Sequence, residues 1–157
     1  MTARFSAIDC TATGDTFYEG MVKDAANWAI METDRRCVSI QVYAGTTLCA
    51  IGNGQAYFRV PSALNGMNLK SVAAAVVTAG TTGTMDIQIA NVTDSVDMLS
   101  TKLTIDTEET DSSTAAVAAV IDTSHDDVTT GDMLRIDIDA VHTTAAKGLC
   151  VELQFWT

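Results

Sequence analysis

Basic residues are scarce in this chain: nine Lys and Arg stand against twenty Asp and Glu, a formal net charge of −11 over 157 residues. A phosphate backbone is held by cations, so a nucleic-acid partner is not expected. Histidine occurs twice. The four cysteines, Cys10, Cys37, Cys49 and Cys150, contain no C-x-x-C pair, so no zinc site is expected and free thiols are the default. The longest apolar run, Val72–Val77, is far too short to cross a bilayer, and no membrane partner is expected. The first residues, Met-Thr-Ala-Arg-Phe-Ser, show no basic region leading into an apolar stretch, so no secretion signal is read there and synthesis in a cytoplasm is expected. Proline occurs once and aromatics make up 6% of the chain, which leaves a thin aliphatic core.

What the chain does have is Ala, Val, Ile and Thr in short alternating segments. Residues 84–89, 132–138 and 149–155 each alternate apolar and polar with a period of two, as a strand does when one face is buried and the other is wet. Val38, Ile40 and Val42 begin the series. A turn at 44–47 and a piece at Leu48–Ile51 follow. Asn53-Gly54 is the strongest hairpin signal, because both residues tolerate the positive φ of a type I′ turn. Gln55–Val60 is a strand stopped by Pro61, and 61–66 reads as one helical turn. Asn68–Thr78, Thr84–Val92, Thr101–Asp106, the Ala-rich Ala115–Ile121, Asp132–Val141 and the last segment complete about eight or nine strands, with loops at 107–114, 122–131 and 142–148. Strands without intervening helices predict an all-β fold. A jelly-roll-like antiparallel β-sandwich of about eight strands over residues 36–157 would also cover most sheet edges.

Residues 1–35 break the pattern and form an N-terminal arm or attachment segment. Tyr18–Met31 fits a short helix with Met21, Val22, Ala25 and Trp28 on one stripe, and fits an extended arm equally. Phe17, Tyr18 and Trp28 are the candidate interface residues, either packed on their own subunit or reaching a neighbour. Charge is also uneven. Residues 1–85 balance six acids with six bases, whereas residues 86–139 hold thirteen acids against only Lys102 and Arg135. That asymmetry fits an ordinary solvated surface, or a neutral side that docks and an acidic side that faces water; in both the acidic tract is expected to be exposed.

Catalytic signatures are weak. Asp122, Asp126 and Asp127 form the best acidic cluster, but it lacks the alternating carboxylates, central Gly and terminal Glu of a calcium loop, so an acidic surface loop is expected and no metal. Asp137 and Asp139 fall on the wet face of one strand, the arrangement of a glycosidase pair, without an aromatic groove to hold a sugar. His125 and His142 sit in no nucleophile elbow. Cys150 alternates with Leu149 and Val151, which makes it the most accessible thiol expected. The expectation is a non-enzyme with no catalytic residue, no cofactor and no metal.

Several stretches together resemble a domain of virion proteins of tailed bacteriophages. They are Gly52-Asn-Gly-Gln-Ala-Tyr-Phe-Arg-Val-Pro61, Leu64-Asn-Gly-Met-Asn-Leu69, Thr78-Ala-Gly-Thr-Thr-Gly-Thr84, Asp86-Ile-Gln-Ile89, Asn91–Thr104 and Gly131–Val141. The resemblance covers roughly residues 40–155. It implies a small jelly-roll protein of heads or tails, often trimeric, and it carries over no catalytic or metal-ligand residue. The expected function is a capsid decoration (cement) protein. Such a protein would act as a homotrimer on the outer surface of the virion, binding the major capsid protein and stabilising its lattice. The alternative is a head-fibre or tail component that binds a host surface or glycan. It calls for aromatic platforms on apical loops, and loops 107–114 and 122–131 contain none.

Overall fold

Strands form where β-branched and apolar residues alternate, because every second side chain then enters one interior. The computed structural model describes residues 35–157, and Arg36–Thr157 form one compact unit. Phe17, Tyr18, Trp28 and Cys10, and the helix-or-arm question over Tyr18–Met31, lie outside the described residues. The strands are β1 (Arg36–Gln41), β2 (Gly52–Arg59), β3 (Met67–Thr78), β4 (Met85–Asn91), β5 (Val96–Asp97), β6 (Leu99–Thr101), β7 (Leu103–Ile105), β8 (Val120–Ile121), β9 (Asp127–Val128), β10 (Met133–Ala140) and β11 (Lys147–Trp156). Among the described residues there is no α-helix; single 3-10 turns occur at Ser62–Leu64 and Ser112–Thr114.

Two sheets carry the fold, in the orders β1-β11-β3-β9 and β2-β10-β4-β5, with β7 also on β4 and β6–β8 as a separate pair. Every pairing is antiparallel, and the pairs are nested: β1 with β11, β2 with β10, β3 with β9, β4 with β5 and β7. The chain therefore pairs like one long hairpin whose successive rungs lie alternately in the two sheets. This connectivity is jelly-roll-like, with the short β6–β8 pair crossing the β4–β7 rung. The core between the sheets is aliphatic. Leu149, Val151, Leu153 and Phe155 of β11 face Ile87 and Ile89 of β4 and Leu134, Ile136 and Ile138 of β10, all buried. Phe155 is the one fully buried aromatic among the described residues.

Local signals lose to long-range pairing at one place. Asn53 and Gly54 do not make a hairpin turn; both lie inside β2. Around them Gly52 pairs with Ile138 and Ala56 with Ile136, so three residues of β2, Asn53 to Gln55, stand opposite Asp137 alone in a bulge. Gly54 supplies φ +72° to that bulge. A hairpin would need 48–51 and 55–60 to pair with each other. Instead Leu48 bridges Lys147 of β11 and β2 pairs with β10, which makes 48–51 the crossing between sheets. Of Ala115–Ile121 only the last two residues form a strand, and β9 lies inside the expected 122–131 loop.

The thiols also depart from expectation. Cys37, on the edge strand β1, is exposed, while Cys150 is half-buried because β11 has neighbours on both sides, and Cys49 is buried. Burial pushes the Cys49 thiol up to about 11. Of these three thiols, alkylation of the native protein at pH 8, read by peptide mass mapping, is expected to modify Cys37 first, Cys150 more slowly and Cys49 only after unfolding. Native-state modification of Cys49 at the Cys37 rate would contradict this packing.

Candidate functional site

Nesting has an electrostatic consequence. It places β1 and β3, from the charge-balanced half of the chain, beside the last strand β11. Along their outer face Ser39 pairs with Glu152, which pairs with Ala73; Gln41 pairs with Cys150, which pairs with Ala75. The residues are small and mostly uncharged, and Val77, 69% exposed, continues the row along β3. Glu152 is the charged exception on these central rungs. Gln154 donates to its carboxylate at 2.7 Å, and this hydrogen bond, with a second from Cys37, holds it below the usual carboxylate range. The Cys37 thiol is raised in turn, by desolvation first and then by Glu152.

The outer face of the second sheet is charged and organised around Asp137. Alternation along β10 puts Asp137 and Asp139 on the outer face, as expected, but Asp137 is not wet: it is 4% exposed. Its Oδ1 accepts the Gly54 N–H at 2.6 Å, and its Oδ2 accepts Nε and Nη2 of Arg135 at 3.0 and 2.7 Å. The bulge in β2 folds over the carboxylate and removes it from water. The Asp137 hydrogen bonds raise the Arg135 guanidinium, with Tyr57 and Asp97 adding smaller charge effects. Asp139 pairs with Lys102 at 2.8 Å, an interaction that raises Lys102. Both carboxylates are thus engaged by cations, and neither is placed as a free acid or nucleophile.

The acidic cluster at 122–127 is pulled apart in the same way. Asp122 accepts the Ser124 N–H at 3.0 Å and contacts His125 at 2.9 Å; these hydrogen bonds, His125 first, lower its pKa. Asp126 turns inward to Asn68 at 2.6 Å and Lys70 at 2.9 Å, while Asp127 stays exposed on β9. No group of three or more metal-ligating side chains converges among the described residues. The acidic tract is therefore not uniformly exposed. Asp126, Asp132 and Asp137 are buried, and Asp132 accepts from Asn91 and Thr129. Asp132 and Asp137 satisfy loop and bulge N–H donors, whereas Asp126 pairs with side chains of β3. His142 is also buried, its Nε2 3.2 Å from the Asp106 carbonyl, and it packs on Gly80. The two histidines serve separate loops.

The sequence reading passed over one surface. Tyr57, 58% exposed, opposes Arg135; Arg135 opposes Ala90 and Ala90 opposes Asp97, one row across four strands. Alternation in Gln55–Val60 already turns Tyr57 outward, but its neighbours come from distant strands. No helix among the described residues is long and apolar enough to cross a membrane. No family model, curated protein or solved structure matches the chain.

Proposed function

We propose that this chain is a structural protein of a tailed-bacteriophage virion, a capsid decoration protein. It sits as a homotrimer on the outer surface of the head and ties adjacent major capsid subunits together. The observation that carries this reading is the division of charge between the two outer faces of the sandwich. One face, formed by β1, β11 and β3, is small-residued and nearly uncharged; the other, with the end loops, holds most of the acids. Such a neutral face lets an acidic protein approach another copy of itself without like-charge repulsion. The resemblance over residues 40–155 points the same way, and Phe17, Tyr18 and Trp28 supply aromatic anchors in the attachment segment. The mechanism is linkage. A protein that binds only the assembled lattice stabilises it by about 2.7 kcal/mol per site at a hundredfold excess over Kd.

The test uses particles stripped of the protein and full-length variants. Ala73→Glu combined with Ala75→Glu places two charges on the neutral face at exposed positions. The new carboxylates stand across from Glu152 and Asp111, so this variant is expected to melt a few degrees lower yet stay folded at room temperature, and to lose particle binding and self-association by about tenfold or more. Asp111 bridges Ala75 at the rim of this face, so the control leaves it in place: neutralising Glu108 and Glu109 together is expected to change neither. Particles bound equally well by the Ala73/Ala75 variant, or lost with the loop variant, would reject this orientation. Particles no more heat-resistant with the wild-type protein than without it would reject the decoration role.

A further inference from the structure

We propose that the outer face of the second sheet binds a short, uncharged oligosaccharide, with Tyr57 as the stacking platform and Arg135 and Asp97 as the polar contacts. Among the described residues Tyr57 is the one aromatic more than half exposed. Its position is built. The phenol end lies against Gly54, where any β-carbon would collide with it. The bulge that carries Gly54 is held by the buried Asp137 carboxylate through the Gly54 N–H, and the same carboxylate clamps Arg135 beside the ring. One buried acid thus fixes both the backbone under the tyrosine and the guanidinium next to it, so binding need not order them.

The rest of the row gives the shape. Ala90, between Arg135 and Asp97, has only a methyl group, and the dip above it opens into a cleft of about 370 Å³ lined also by Asn91 and Ser95. From Tyr57 to Asp97 the row crosses three strand spacings, roughly 14 Å, the length of a short oligosaccharide.

The chemistry narrows the ligand class. A guanidinium only donates hydrogen bonds and a carboxylate only accepts them, and a hydroxyl can satisfy both. A ring bearing several hydroxyls on its edge and C–H bonds on its face matches this row: C–H against the tyrosine, hydroxyls toward Arg135 and Asp97. The charge of Arg135 is already offset by Asp137, and Asp97 stands across the cleft, so an anionic ligand gains little and meets repulsion. The site lies on the sheet opposite the uncharged face and stands or falls without the capsid reading.

The experiment uses isotope-labelled full-length protein without particles. N-acetylchitotriose, maltotriose and cellotriose are each added to about 10 mM, a range that detects millimolar binding, and amide shifts are followed by NMR. At least one probe is expected to shift amides confined to β2, β10, β4 and β5 around Tyr57, Arg135 and Asp97. Tyr57→Ala is expected to weaken that binding by about tenfold or more, Tyr57→Phe to retain it, and both to melt as the wild type does, since the ring is largely exposed. No shift with any of the three probes, shifts mapping to the other sheet, or undiminished binding by Tyr57→Ala would each overturn the proposal.

Discussion

Alanine at Gly148 is expected to destabilise the sandwich by about 3–5 kcal/mol, enough to remove much of the stability of a domain this size. Gly148 opens β11 at φ +66°, a conformation that costs an L-residue roughly 1–2 kcal/mol. The larger part is contact. An added β-carbon would stand 2.6 Å from the Gly45 α-carbon, 2.8 Å from Val77 Cγ2 and 3.0 Å from the Gly45 carbonyl oxygen. Val77 can move, but the backbone at Gly45 cannot. Its turn is closed by Thr47 N–H to Ala44 O at 2.8 Å and tied to Gly148 itself by the Gly148 N–H to Thr47 O bond at 3.0 Å. Relief therefore requires the end of β1 to separate from β11. Gly83→Ala is the control, because Gly83 has φ +89° and open space around it. That variant should cost only the conformational term, about 1 kcal/mol. Urea denaturation of both variants decides the point: equal losses would show that backbone conformation, and not the close approach to Gly45, requires glycine at 148.

The strands that could be read in advance are those long enough to show a period. In β11 Leu149, Val151, Leu153 and Phe155 are buried while Cys150, Glu152 and Gln154 are half-exposed, and the alternation in the sequence says the same. The pieces β5, β6 and β9 have two or three residues each, too few for any period, and were missed or placed in loops, and β8 was read as part of a longer strand. Asn53-Gly54 shows the limit from the other side. The local turn preference is real, but it contributes less than pairing β2 along β10, and the glycine is spent on a bulge. The neutral and acidic surfaces were partly legible, because nested pairing turns a charge asymmetry between chain halves into one between sheets. Individual acids were not. Whether Asp126 faces water depends on Asn68 and Lys70, and whether Asp137 does depends on Gly54, and no spacing rule joins residues so far apart. The Tyr57 row was invisible for the same reason: only strand order puts Arg135, Ala90 and Asp97 beside it.

Asp137→Ala is expected to cost about 2–4 kcal/mol, because the carboxylate is the shared acceptor of an otherwise unpaired bulge. Two losses combine. The half-buried Gly54 N–H, at φ +72°, loses its acceptor while its strand partner stays out of register, and an amide left unpaired away from water costs roughly 1–3 kcal/mol. Arg135 loses a two-pronged contact, but its side chain is 27% exposed and turns to water, so this part is the smaller one. Asp137→Asn separates the two. Its amide oxygen still accepts from Gly54, while its amide nitrogen meets the guanidinium donor to donor, and a loss of about 1–2 kcal/mol is expected. Arg135→Ala leaves the buried Asp137 carboxylate with the Gly54 N–H alone, so its loss should be of similar size, about 2–4 kcal/mol. The double variant should fall short of the sum of the singles, since removing either partner already breaks the pair. Denaturant midpoints for the four proteins give the cycle. Strict additivity, or an Asp137→Ala loss below about 1 kcal/mol, would mean that the bulge is held by strand packing alone and that Asp137 is a passenger beneath it.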